Sequence, residues 1–173
     1  MSGYQIIDQE GIYFITFSVV QWVDIFSRSL YADIVVESLR FCQKEKGLII
    51  YGWCIMSNHV HLIIRSNGMN PLSAILRDFK KFTAGKILKG IDHAAESRRS
   101  WMLWIFKSAR ENNPDDKIYQ FWQQDNHPEE LITNRFMQQK LDYLHNNPLQ
   151  QALLMNLSII GIAVREITQD NQV

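Results

Sequence analysis

The sequence has few of the features that mark several classes of protein. Only two of its 173 residues are cysteine, Cys42 and Cys54, and they lack the spacing of a metal-binding motif. They are typical of buried residues in a reducing compartment. The sequence also lacks a glycine-rich phosphate-binding loop, a basic and apolar leader, and an apolar run long enough to span a membrane. We therefore expect a cytoplasmic protein that makes no membrane contact.

The charge sums to zero but is spread unevenly along the chain. Residues 65–110 carry ten basic and three acidic side chains, whereas both flanking segments are net negative. A charge run of this kind is usually a solvated helix face. The basic residues here lie close to several aromatic residues, which favours a surface that contacts a nucleic-acid backbone. The candidates for this surface are Arg77, Lys80, Lys81, Lys86, Arg98 and Arg99.

At 173 residues and 46% apolar composition, the chain is long enough to bury a core without disulfides. We expect a single domain over residues 1–173, with its core at about 11–150 and a tail, 154–173, of undetermined role. The apolar periodicity predicts strands at 12–20, 48–56, 59–65 and 118–124, and helices at 28–46, 71–90 and from 128 or 129 to 147. Residues 91–117 are predicted to form a long loop with one short helix at 101–110.

The order of these elements predicts an α+β fold. It is that of a ferredoxin-like (split βαβ) antiparallel four-stranded sheet followed by a C-terminal helix. The first and third strands would be central in such a sheet. The two residues between the second and third strands, Ser57 and Asn58, suit a tight hairpin turn.

The most informative motif is His59-Val60-His61 in the third predicted strand. Alternate side chains of a strand share a face, so both imidazoles project to one side and Val60 to the other. Two imidazoles on a rigid strand are suited to hold a metal ion. An isolated His-x-His is nevertheless more often a pair of ordinary polar residues.

A second pattern lies near the end of the last predicted helix, which ends just before Pro148. Tyr143 and Asn147 are four residues apart, so a phenol and an amide oxygen would lie on one helix face. An isolated Tyr-x-x-x-Asn is more often a core tyrosine followed by a helix cap.

Taken together, these segments resemble the single-tyrosine transposases of the HUH superfamily, in particular the REP-associated tyrosine transposases. Four segments carry the resemblance in the family's order: Met-Ser-Asn-His-Val-His-Leu-Ile at 56–63, Asp-Phe-Lys-Lys-Phe-Thr at 78–83, Phe-Trp-Gln-Gln at 121–124 leading to His127-Pro128, and Tyr-Leu-His-Asn-Asn-Pro-Leu at 143–149. The resemblance extends from about residue 13 to residue 153. The tail beyond it departs from the family pattern.

The resemblance implies a transposase-like endonuclease and strand transferase that acts on single-stranded DNA near palindromic hairpins. In such an enzyme Tyr143 would be the nucleophile and would form a 5′-phosphotyrosine. His59, His61 and Asn147 would bind Mg²⁺ or Mn²⁺. Some relatives act as dimers in which the tyrosine serves the partner's metal site, whereas the REP-associated branch looks monomeric. A monomer and a homodimer both stay open.

Two other classes of protein share part of this pattern. A non-catalytic single-stranded nucleic-acid-binding module would use exposed aromatic residues on the sheet and has no need of a histidine pair. A zinc hydrolase would use the same His-x-His but normally adds a third histidine or a carboxylate, and no obvious one stands beside Asn147.

Overall fold

The helices and strands follow the predicted order along most of the chain. The computed structural model describes residues 6–93, 96–110, 118–124 and 126–146. The strands are β1 (Tyr13–Ser18), β2 (Leu48–Ile55), β3 (His59–Ser66) and β4 (Glu129–Glu130). The helices are α1 (Ser29–Lys46), α2 (Leu72–His93), α3 (Arg99–Arg110) and α4 (Asn134–His145), and two short 3-10 helices, Val20–Trp22 and Ile25–Ser27, follow β1.

The four strands form one antiparallel sheet in the order β2-β3-β1-β4. This order confirms the predicted α+β fold with the first and third strands at its centre. β2 and β3 form a hairpin closed by Ser57 and Asn58, and Met56 N donates to His59 O across that turn at 2.8 Å. The histidine motif thus begins β3 at the hairpin end of the sheet.

The main core lies between one face of the sheet and helices α1 and α2. Val60, Leu62 and Ile64 of β3 are fully buried in it, as the alternation of the strand predicts. The helix α1 ends where predicted, because Gly47 adopts a left-handed conformation (φ +77°) that closes its last turn. Within the described ranges, no helix is long and apolar enough to cross a membrane.

The prediction of a fourth strand at 118–124 was wrong. Phe121 and Trp122 are adjacent in sequence and both lie in the main core, whereas a regular strand would turn them to opposite faces. The segment is therefore irregular and joins the sheet only through a single bridge between Trp122 and Val19. The fourth strand is instead the short β4, which pairs with the start of β1.

Helix α4 covers the opposite face of the sheet and begins later than predicted, after Thr133. The hydroxyl of Thr133 accepts a hydrogen bond from Phe136 N at 3.2 Å and so caps the helix. A second, smaller apolar cluster holds α4 on the sheet, and its buried members are Phe14, Cys54, Ile63, Leu131, Met137, Leu141 and Leu144. The end of the predicted helix at 147, and the tail 154–173, lie outside the described residues.

Candidate active site

His59 and His61 lie on the sheet face that α4 covers. Their ring centroids are 4.6 Å apart, and the two Nε2 atoms approach each other to 3.0 Å. This separation is a hydrogen-bond distance for two neutral rings. It also equals the spacing of about 3 Å between adjacent ligands of an octahedral ion with bonds of about 2.1 Å. The pair therefore fits a divalent metal ion as two neighbouring ligands.

The other ring nitrogen of each histidine is held by a neighbouring side chain. His61 Nδ1 lies 2.8 Å from the hydroxyl of Thr16, which stands directly opposite it on β1. His59 Nδ1 lies 2.6 Å from Oδ1 of Asn58. Such hydrogen bonds orient metal-binding imidazoles and select their tautomer. Both Nε2 atoms are thereby turned toward the same point.

Burial keeps both histidines in the neutral form. Burial lowers the pKa of His59. For His61, burial and the electrostatic effect of the nearby His59 and Lys140 together lower the pKa to about 4. His61 is only 6% exposed. Because a metal ion binds the neutral imidazole, the pair carries no positive charge of its own to repel a cation near pH 7.

Helix α4 places Tyr143 beside the histidine pair. The phenol ring meets His61 edge-on with centroids 5.5 Å apart, and it also contacts Phe14 at 6.2 Å. The residue as a whole is 51% exposed. Tyr143 thus lies beside two histidines that precede it in the sequence by more than eighty residues.

Close approach of α4 to β2 depends on Gly52. A Cβ added to Gly52 would lie 3.1 Å from side-chain atoms of both Leu141 and Leu144. Those two leucines are buried in the second apolar cluster, next to Tyr143 in the helix. Because Gly52 has no side chain, α4, which carries Tyr143, can pack this close to β2.

The third predicted metal ligand, Asn147, lies outside the described residues. Within the described part of the chain, no three histidine, cysteine, aspartate or glutamate side chains come together as a metal site. Of the three predicted ligands, the described residues therefore include the two histidines.

Three of the predicted DNA-binding residues, Arg77, Lys80 and Lys81, line one groove beside α2. The groove has a volume of about 1270 Å³ and runs between α2 and a wall formed by residues 118–124, Asn126 and Pro128. Lys80 is half-buried, and its ammonium group donates to Gln123 O at 3.0 Å and to Asn126 Oδ1 at 2.9 Å. Lys80 thus ties the irregular segment to α2, whereas Arg77 and Lys81 are exposed.

The other predicted DNA-binding residues lie apart from this groove lining. Lys86 is exposed further along α2, above the ring of Phe82. Arg98 and Arg99, at the start of α3, form ion pairs. Arg98 contacts Asp24 at 2.6 Å and Glu96, and Arg99 contacts Asp92. The structure thus gathers three basic residues at the groove, where Arg77 also pairs with Asp78 at 3.2 Å, and engages Arg98 and Arg99 in ion pairs elsewhere.

Three neighbours of the site were not among the sequence candidates. Thr16 is identified only by the register between β1 and β3. Asn58 was interpreted as a turn residue and as part of the resemblance at 56–63, with no role of its own at the site. Lys140 lies one helical turn before Tyr143, and that spacing could have indicated it. Its ammonium group sits 4.3 Å from the centre of the Phe14 ring and 2.9 Å from Glu129. It brings a positive charge to the site.

Comparison with known proteins decides the family. A family model described as "Transposase IS200 like" matches residues 11–124, which is more than half of the chain. The chain belongs to the IS200-like transposase family. The matched segment of this transposase contains both histidines and ends before α4. No curated protein matches the transposase.

Two solved structures are similar to this transposase. A REP-associated tyrosine transposase bound to a REP hairpin has 15% identity and a TM-score of 0.58, with 87% of this chain and 74% of that chain covered. A putative transposase from Deinococcus radiodurans has 14% identity and a TM-score of 0.49, with 84% and 97% covered. The first comparison shows that the transposase has the fold of a REP-associated tyrosine transposase.

Proposed function

We propose that this transposase is a metal-dependent endonuclease and strand transferase that cleaves single-stranded DNA near hairpins through a 5′-phosphotyrosine intermediate. The observation that carries the proposal is the contact of Tyr143 with His61, beside two Nε2 atoms that face each other at 3.0 Å. A nucleophile next to a site for a divalent ion is the arrangement that phosphoryl transfer by tyrosine requires.

In the proposed reaction the oxygen of Tyr143 attacks the scissile phosphorus. The new bond joins that oxygen to phosphorus, and the bond from phosphorus to the 3′ oxygen of the preceding nucleotide breaks. The phenol proton is lost and the leaving 3′ oxygen gains one. Because one phosphate ester bond replaces another, the step needs no external energy source. A later attack by a 3′-hydroxyl on the phosphotyrosine rejoins strands and releases Tyr143.

His59 and His61 would hold Mg²⁺ or Mn²⁺ in this scheme, with Asn147 as the third protein ligand. The ion would neutralise the charge of the scissile phosphate. The side chains of Thr16 and Asn58 keep both rings oriented for it. Replacement of either histidine by alanine should abolish Mn²⁺ binding in a calorimetric titration, and Asn147→Ala should weaken it less. Unchanged affinity in both histidine variants would exclude this metal site.

The proposed substrate is a strand with a palindromic hairpin, of the kind that the structural relative binds. The exposed charges of Arg77 and Lys81 in the groove beside α2 supply phosphate contacts that do not depend on base sequence.

A covalent adduct on a denaturing gel tests the reaction. Strands with a hairpin flanked by randomised bases carry a 3′ label, because the downstream fragment is the one attached through its 5′ phosphate. We expect the wild type with Mn²⁺ to retain the label and Tyr143→Phe to lose it. The control Tyr51→Phe removes a second phenol that packs against the same apolar cluster, and it should keep the adduct. An adduct in Tyr143→Phe would refute the assignment. Binding without any adduct in the wild type would indicate the non-catalytic module.

The tyrosine and the histidines meet within one chain, which supports action as a monomer. A mixture of His61→Ala and Tyr143→Phe proteins separates the two oligomeric arrangements. If each chain uses its own tyrosine, the mixture forms no adduct. Recovery of the adduct would instead show that Tyr143 acts on the partner's metal site, as in a dimer.

A further inference from the structure

The segment that follows β1 holds an exposed tryptophan in an unfavourable backbone conformation. Gln21 and Trp22 have φ angles of +52° and +54°, in the left-handed region that residues with a Cβ rarely adopt. Trp22 is nevertheless 57% exposed, so burial of its indole does not explain the conformation. Such conformations persist only where the surrounding contacts impose them, and they concentrate at functional sites.

Contacts with the β2–β3 hairpin fix this conformation. Asn58 Nδ2 donates to Trp22 O at 3.3 Å, and Val19 N donates to Asn58 O at 2.9 Å. The same Asn58 holds His59 through its Oδ1 atom. One asparagine therefore orients both the metal-site histidine and the tryptophan loop.

The result is an indole placed at the edge of the histidine pair. The rings of Trp22 and His59 meet edge-on, with centroids 6.1 Å apart and an angle of 83° between their planes. Aromatic side chains stack on bases of any sequence in proteins that bind single strands. A nucleotide whose phosphate lies at the histidine pair has its base within reach of this indole.

We propose that Trp22 is a stacking platform for a nucleobase next to the scissile phosphate. The inference rests on the proposed function, since it takes the ligand at the histidine pair to be single-stranded DNA. It assigns to Trp22 the positioning of the strand at the cleavage site. Of the aromatic residues close to the basic segment, Phe106 is fully buried and cannot stack on a base.

Fluorescence anisotropy of labelled single strands tests the platform. The measurements use the Tyr143→Phe background with EDTA, so they need neither cleavage nor metal. Trp22→Leu keeps an apolar side chain but removes the aromatic face, and we expect it to weaken binding by about five- to 100-fold. Trp22→Phe keeps an aromatic face, so its affinity for the strand should stay within about threefold of that of the parent protein. Phe41→Leu, at a 55% exposed aromatic residue of α1 on the other side of the sheet, is the control and should bind as the parent does.

An abasic scan of the strand identifies the stacked base. Removal of that base should weaken binding by the Trp22 protein and have no further effect on Trp22→Leu. The inference is wrong if each abasic substitution weakens binding equally in both proteins, or if Trp22→Leu binds the intact strand as tightly as its parent does. If either of these results is obtained while the wild type still forms the covalent adduct, the inference about Trp22 fails and the proposed function stands. A Trp22-dependent base contact without any adduct would refute the catalytic proposal alone.

Discussion

Replacement of Thr16 by valine tests how strongly the hydrogen bond to His61 supports the proposed metal site. The change exchanges a hydroxyl for a methyl group of similar size and removes the 2.8 Å contact with Nδ1. It leaves both proposed imidazole ligands in place. Metal affinity should nevertheless fall, because His61 loses the group that fixes its ring orientation and tautomer.

The expected loss of affinity is about 10- to 100-fold, the usual effect of removing a partner of a metal-binding histidine. This corresponds to about 1.4 to 2.7 kcal/mol of binding free energy. The metal-free protein should lose only about 1 kcal/mol of unfolding free energy, the net value of one neutral hydrogen bond. The loss of Mn²⁺-binding free energy should therefore be at least as large as the loss of unfolding free energy.

Calorimetric titration with Mn²⁺ and urea unfolding without metal measure the two quantities separately. Thr16→Ser keeps the hydroxyl and should retain most of the affinity. Thr83→Val is the control for stability, because its buried hydroxyl bonds Phe79 O and Trp122 Nε1 in the main core. It should destabilise the protein and leave the Mn²⁺ affinity unchanged. Equal Mn²⁺ affinities in wild type and Thr16→Val would refute the reasoning.

Three further predictions concern pH, charge and packing. The pKa of His61 is about 4 in the fold and about 6.5 when unfolded, so the unfolded state binds more protons between these values. Urea unfolding of the metal-free protein should therefore show about 3 kcal/mol of stability lost as the pH falls through this window, and His61→Gln should lose less. Lys81→Ala should weaken binding to all single strands alike and flatten the log–log salt dependence by about 0.7, whereas a loss confined to one hairpin would show that Lys81 reads sequence or shape. Gly52→Ala should slow adduct formation with Mn²⁺ affinity retained, because its Cβ pushes against the two leucines of α4; unchanged rates would show that the helix tolerates the shift.

The sequence alone predicted the sheet face of the histidine pair and the central position of its strand. The face follows from alternation along β3, where Val60 between the histidines and Leu62 after them are apolar. The central position follows from the order of the elements, which is that of a split βαβ sheet. The end of α1 was also predictable, because a glycine follows its last turn. These features depend on local patterns, which a single sequence records.

Features that depend on pairing across the chain could not be predicted in the same way. Thr16 joins His61 only through the register of β1 and β3, which no local pattern specifies. The run 118–124 has the composition of a strand, but tertiary packing draws its two adjacent aromatic residues into one core. Tyr143 was placed correctly on the last helix, yet its distance from the histidines depends on the depth of packing at Gly52.

The alternation of β3 also links the integrity of the site to the success of folding. A slip of one residue against β1 and β2 would turn Val60, Leu62 and Ile64 toward α4 and carry both histidines into the apolar layer beneath α1 and α2. Such a chain would bury two imidazoles without their partners and would fail to reach a stable native state. Misregistered molecules would therefore unfold and be degraded rather than persist as folded, inactive enzyme.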